Sequence, residues 1–172
     1  MYDVIQALPI GAISTSASLA GLLGTELEVL STNLPGVTAS LVPIGSVTRV
    51  KLVRASAAIA SSANVAILWT TDASTGTVSA VTGAAAVKGT VAGFAILPSG
   101  TTGVSSGDYF WVAIRGPVLA TTAGAVAAGA ALATHSTAGA VDDTTVVFNT
   151  VVARAMAAIG SATTGVIYAD VA

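Results

Sequence analysis

The chain has 172 residues, of which six are Lys or Arg and eight are Asp or Glu, giving a net charge of −2. Ordinary domains have about a quarter of their residues charged; here the figure is 8%, while 53% are apolar. This excludes a basic field able to hold nucleic acid, and the lack of cysteine excludes disulfides and thiolate metal sites.

A lone domain of this composition struggles to cover itself with polar side chains. The small residues Ala, Gly, Ser and Thr dominate instead and give a weakly hydrated surface. Much of that surface is expected to be covered by other protein copies, so an assembly component fits better than a free enzyme. The mean hydropathy of +0.86 raises a membrane reading, but the most uncharged stretch, 116–141, is rich in Ala, Gly, Thr and Ser and contains His135. A membrane span is rich in Leu, Ile and Phe and carries basic and aromatic anchors. No Lys or Arg precedes Arg49 to form the positive start of a signal peptide, so neither membrane insertion nor export is expected.

Residues 1–45 carry three of the five prolines, frequent glycine, three acids and no base, which argues against a long helix. A short helical turn is expected near Ala17–Leu23, with Ser16 or Ser18 at its start and Gly24 at its stop. The segment reads as an extended N-terminal arm with local strands. The alternative is an irregular sheet packed on its own domain. An arm would be dispensable for folding, leaving 46–172 as the β-rich domain.

After Gly45 the strand signal strengthens. Val47–Arg54 is dense in β-branched residues and puts Val47, Arg49, Lys51 and Val53 on one face, with Thr48, Val50, Leu52 and Arg54 on the other. Further strands are expected at Val65–Thr70, Val91–Leu97, Asp108–Arg115, Ala130–Thr134, Val146–Phe148, Val151–Ile159 and Gly165–Val171. Asp72–Gly76 supplies a turn. In Asp108–Arg115, the strongest of these strands, Phe110, Val112 and Ile114 are assigned to the core and Tyr109, Trp111, Ala113 and Arg115 to the other face, with Gly116-Pro117 as the closing turn. The Ala-rich piece 123–133 has helical propensity, but its Gly and Thr favour strand and turn. Short strands with Gly-rich turns define an all-β fold, a small barrel or sandwich-like domain. A weak repeat, Thr90–Ile96 with Thr101–Val104 against Val151–Ala157 with Thr163–Val166, allows two similar β-modules.

Chemistry-bearing groups are few. His135 is the only histidine, so no second imidazole or thiol can join it in a metal site or nucleophile dyad. A Ser-His-Asp set with Asp142 or Asp143 is formally possible, but no G-x-S-x-G elbow occurs. His135 reads as a polar residue at a strand end and Asp142-Asp143 as a solvated turn too poor in oxygen ligands for calcium. Glu26 and Glu28 share one face if they lie on a strand, and lack the polar support of a paired-acid glycosidase site. No nucleotide-binding glycine motif appears. No enzyme activity, catalytic residue, cofactor or metal is expected. Arg49, Lys51 and Arg54 form a small basic cluster, read either as edge-strand protection or as a salt-bridging contact with an acidic partner.

Several stretches together carry a family resemblance: Lys51-Leu52-Val53-Arg54-Ala55-Ser56-Ala57-Ala58-Ile59, Val91-Ala92-Gly93-Phe94-Ala95, Ser106-Gly107-Asp108-Tyr109-Phe110-Trp111-Val112-Ala113-Ile114-Arg115-Gly116-Pro117, the Ala-rich run 123–132, and Val152-Ala153-Arg154-Ala155. The pattern, over roughly residues 50 to 170, resembles the head decoration, or cement, proteins of tailed bacteriophages. The stretch around Gly107–Pro117 is its most specific part, and residues 1–45 lie outside it. The resemblance implies a β-rich, barrel-like domain, often a homotrimer, on the outer capsid surface of the virion. Its partners would be the major capsid protein and itself, with neither nucleic acid nor membrane involved. It implies a non-enzymatic role in stabilising the head against internal DNA pressure. Arg49, Lys51, Arg54, Trp69, Tyr109 and Trp111 are then the candidate capsid or subunit contacts, the aromatics only if they are exposed. The alternative is a phage tail, fibre or adhesin β-module binding a host surface glycan through exposed aromatics.

Overall fold

The structure is a computed structural model that describes residues 8–59, 65–69, 76–81, 86, 88–97, 103–143 and 150–171. Within these are ten strands: β1 (Glu26–Leu30), β2 (Val47–Ala55), β3 (Ala66–Trp69), β4 (Thr77–Val81), β5 (Val91–Ile96), β6 (Tyr109–Thr121), β7 (Ala131–Thr134), β8 (Val141–Asp142), β9 (Ala153–Ala155) and β10 (Thr164–Asp170). The only helices among the described residues are short 3-10 turns, one of them at Ala17–Leu22. There Ser16 takes the N-cap position without a side-chain capping bond.

The strands form one sheet in the order β1-β2-β4-β3-β5-β6-β10-β9-β7-β8, with an added β2–β6 pairing. All pairs are antiparallel except β2–β4, which meet only at Arg54–Thr77 and Ala55–Val78. Both β2 and β5 pair with Val112 and Ala113, so they take opposite edges of β6. Both β2 and β10 pair with Arg115. It follows that β5 and β10 share one edge of β6 in succession. The pairings β2–β4–β3–β5–β6 thus return to β2, while β1 and the β10-β9-β7-β8 group run off as flaps. Because β2 and β4 meet at only two register pairs, the ring is not zipped along its length, and the fold is all-β and sandwich-like, not a closed barrel.

β6 anchors this arrangement. Tyr109 to Ile114 are all buried, with Phe110, Trp111, Val112 and Ala113 at 0% exposure. The expected split into a core face and an outer face fails here because both faces are covered. The strand also does not stop at Gly116-Pro117 but continues to Thr121. An extra residue, Ile114, interrupts the β2–β6 register, as in a β-bulge, which bends a strand. Gly116 follows at φ +107°, and a Cβ there would lie 2.5 Å from the Val47 carbonyl oxygen. Only glycine permits so close an approach of β2 at that conformation.

Residues 8–45 do not form an extended arm. Leu8, Leu19, Leu27, Leu34, Val37 and Val42 are buried in the common core. Trp111 Nε1 donates to the Leu8 carbonyl at 3.0 Å, and Ser14 exchanges backbone hydrogen bonds with Tyr109. β1 pairs along β2 from Glu26–Lys51 to Leu30–Val47. The Thr48 hydroxyl donates to the Pro117 carbonyl at 2.6 Å and contacts the Ser31 hydroxyl at 2.8 Å, all inside the fold. The chain exposes 7555 Å², against about 7,600 Å² for a folded monomer of this size. The packed alternative therefore describes residues 8–45. Proline and glycine broke the helical pattern there, but the Leu and Val between them still had apolar area to bury.

The expected strands at 47–54, 65–70, 91–97, 130–134 and 165–171 are found with small shifts of boundary. β4 was not foreseen. The expected strand at 151–159 shrinks to β9, and Val146–Phe148 and most of the Asp72–Gly76 turn lie outside the described residues. Of the repeated segments, Thr90–Ile96 supplies β5 between β3 and β6, whereas Val151–Ala157 supplies the three-residue β9 between β10 and β7.

Candidate functional site

The sparse charges are not spread evenly. Seven of the fourteen, Glu26, Glu28, Arg49, Lys51, Arg115, Arg154 and Asp170, stand on one face of the adjacent strands β1, β2, β6, β10 and β9. Register places them. Glu28 is opposite Arg49, Arg49 opposite Arg115, and Arg115 opposite Asp170, making one row across four strands. Glu26 is opposite Lys51, and Tyr168 opposite Arg154. Directly paired residues point to the same side of a sheet, and the neighbours that alternate with them are buried: Leu27, Val50, Ile114, Ala153, Ala155, Ile167 and Ala169.

Part of the row is neutralised internally. Arg49 donates to Glu28 Oε1 at 3.2 Å, and Lys51 Nζ lies 3.4 Å from Glu26 Oε1. Both pairs are substantially exposed, so each contributes little to stability. Arg115 and Arg154 are exposed, and among the described residues no carboxylate stands within ion-pair distance of either. Two shallow hollows flank Arg115. One, of about 200 Å³, is lined by Glu28, Val47, Arg49, Arg115 and Tyr168. The other, of about 240 Å³, is lined by Arg115, Val151, Ala153, Arg154, Tyr168 and Asp170. Tyr168, 40% exposed, stands with Arg115 in both walls.

The six expected contact residues separate. Arg49 and Lys51 lie on the charged face. Lys51 also sits over the Trp69 ring, 5.3 Å from its centroid, which half-covers that tryptophan. Arg54 is exposed but lies elsewhere: its Nε donates to the Gly107 carbonyl at 3.3 Å and its guanidinium stacks on Tyr109 at 5.7 Å. Strand alternation explains the separation: Arg49 and Lys51 share one face of β2, and Arg54 lies on the other, in register with Tyr109. Tyr109 and Trp111 are inside the chain and present no surface to a partner. Among the described residues Tyr168 is the one well-exposed aromatic.

Four large apolar side chains are exposed: Leu30 and Val47 at the end of the charged face, and Leu41 and Ile44 in the segment before β2, Ile44 at 97%. Leu30 and Val47 are register partners at the end of β1. Leu41 also borders an uncharged hollow of about 330 Å³ with Ala157, Ala158, Ile159, Thr163 and Val166 among its walls.

His135 follows β7, as expected for a strand end. Its Nδ1 accepts from the Thr137 backbone N–H at 3.0 Å, and its Nε2 faces Asp142 Oδ2 at 3.9 Å. No serine hydroxyl contacts it among the described residues. Asp142 is not the solvated turn residue expected: it lies in β8 and is 4% exposed, because β8 pairs with β7 and draws it inward. Among the described residues no group of three or more His, Asp or Glu could hold a metal ion. Among them also, no helix is long and apolar enough to cross a membrane.

Sequence reasoning missed Arg115, Arg154, Tyr168 and Asp170 as one surface. Arg115 and Arg154 are the single charges of β6 and β9, and Tyr168 and Asp170 alternate with buried residues in β10; these mark solvent-facing positions, but strand order alone brings them together.

No protein-family model matches the chain, and no curated protein matches it. Among solved structures the chain is similar to the crystal structure of head fiber gp8.5 N base in bacteriophage phi29. The similarity spans 72% of this chain and 94% of that one, at 13% identity and a TM-score of 0.46. Overlap at this level carries no argument about function.

Proposed function

We propose that this chain is a non-enzymatic structural protein of a phage virion. It binds the outer surface of the head as a homotrimer and cements neighbouring capsid subunits. The observation that carries the reading is the exposure of the large apolar side chains Leu30, Leu41, Ile44 and Val47, with Leu41 beside an uncharged hollow. Ile44 at 97% exposure is poorly placed for a solitary domain and well placed for a contact between proteins. The sequence resemblance around Gly107–Pro117 and the 8% charged composition support the same reading. A protein that binds only the intact shell stabilises it by mass action, and repetition over symmetric sites multiplies weak contacts.

Two measurements test this. Light scattering after size exclusion in detergent-free buffer is expected to give a discrete trimer. Purified chain added to heads that lack it is expected to co-sediment with them and to raise their disruption temperature. Heads that neither retain the chain nor gain stability from it would overturn the reading.

A further inference from the structure

We propose that the surface around Arg115, Arg154 and Tyr168 is a docking site for carboxylates, and that its occupant is a short acidic segment of a protein partner. The inference rests on the virion reading only for the identity of that partner, an acidic segment of the shell. The binding chemistry stands on the surface itself.

Three observations lead to it. Arg49 and Arg115 are directly opposite on β2 and β6, a like-charge placement that disfavours the folded sheet. Arg49 has Glu28 as a partner, whereas Arg115 has no carboxylate within ion-pair distance among the described residues. Arg154, equally without one, lines the same hollow as Arg115, with Tyr168 between the two hollows. Two arginines and a tyrosine thus line one hollow together with Asp170, in a chain with six cationic residues in all. Guanidinium is the side chain best shaped for carboxylate, since its planar fork donates two parallel hydrogen bonds.

The ends of the row set the length of the ligand. Glu28 stands beyond Arg49 on one side and Asp170 beyond Arg115 on the other. A long polyanion crossing the sheet would meet both carboxylates. One or two acidic side chains placed between Arg115 and Arg154 meet only Asp170, which shares that hollow. This favours a short acidic protein segment over nucleic acid. Tyr168 gives a sugar one exposed ring to stack on, so an acidic glycan is the competitor that the test must separate.

The test is a titration of the full chain, at low and at physiological salt, with three probes: a blocked triglutamate peptide, a glucuronate trisaccharide and inorganic phosphate. The peptide is expected to bind tightest, to shift the backbone and side-chain resonances of Arg115, Arg154 and Tyr168, and to weaken with salt. The Arg115→Gln, Arg154→Gln double variant is expected to lose at least tenfold in peptide affinity, while Arg54→Gln, altered at an exposed arginine off this face, keeps it. Absence of peptide binding, equal binding by the double variant, or resonance shifts spread away from this face overturns the proposal. Tighter binding of the trisaccharide or of phosphate overturns it too. Resonance mapping on the unaltered chain decides the matter even if the double variant folds poorly. Head attachment without peptide binding would remove the site and leave the virion reading. Peptide binding without head attachment would do the reverse.

Discussion

The two halves of β6 are one strand in two environments. From Tyr109 to Ile114 every side chain is buried, because β2 and β5 hold its edges and residues 8–16 close the layer over Tyr109 and Trp111. From Arg115 to Thr121 the partner becomes β10, and one face opens, beginning with the exposed Arg115. The first half holds the fold and the second presents a surface. The change occurs within three residues, at the Ile114 bulge and Gly116. Alternation along a strand therefore reports the number of covering layers as much as the strand itself.

The strongest way to break the buried half is to remove its cover. Deletion of residues 1–40 takes away Leu8, Leu19, Leu27, Leu34 and Val37 from the core and all of β1. Loss of one buried leucine side chain costs about 2–5 kcal/mol, and a typical domain is stable by only about 5–15 kcal/mol. We expect no soluble β-rich protein, read by far-ultraviolet circular dichroism and size exclusion. A folded truncation would restore the arm.

At the junction, Gly116→Ala forces a Cβ toward the Val47 carbonyl at positive φ. A loss of about 2–3 kcal/mol in denaturant unfolding is expected, and an unchanged midpoint would remove the close approach that turns β6 from β5 to β10. Thr48→Val tests the neighbouring buried hydroxyl pair. It leaves the Ser31 hydroxyl and the Pro117 carbonyl without their bond to Thr48, for an expected loss of about 1–3 kcal/mol.

The smallest effect belongs to the open half. Arg115→Gln removes a cation that has no ion-pair partner among the described residues and faces Arg49. Its unfolding free energy should stay within about 0.5 kcal/mol of the parent or rise slightly, in contrast to its expected effect on carboxylate binding. A large loss of stability would show that Arg115 is structural, and would sharpen the comparison against a surface role.

Local sequence signals set the class of fold and the positions of most strands. β-Branched density at 47–54 and the Tyr-Phe-Trp-Val run after Asp108 are local signals, and tertiary context strengthened them. The sequence also set the scarcity of charge and of catalytic groups. It did not show that residues 8–45 join the core, since a broken helical pattern looks the same in a free arm and in a packed irregular segment. Trp111 looked available for contact, yet its indole N–H is bonded to Leu8, 103 positions away. Arg49, Arg115, Arg154 and Asp170 are spread over more than a hundred residues, and β2, β6, β9 and β10 become neighbours only through long-range pairing. Periodicity states which way a side chain points relative to its own strand. What it points at, another layer, a like charge or open solvent, depends on strand order and on the bend at Gly116, and those were decided by the tertiary structure.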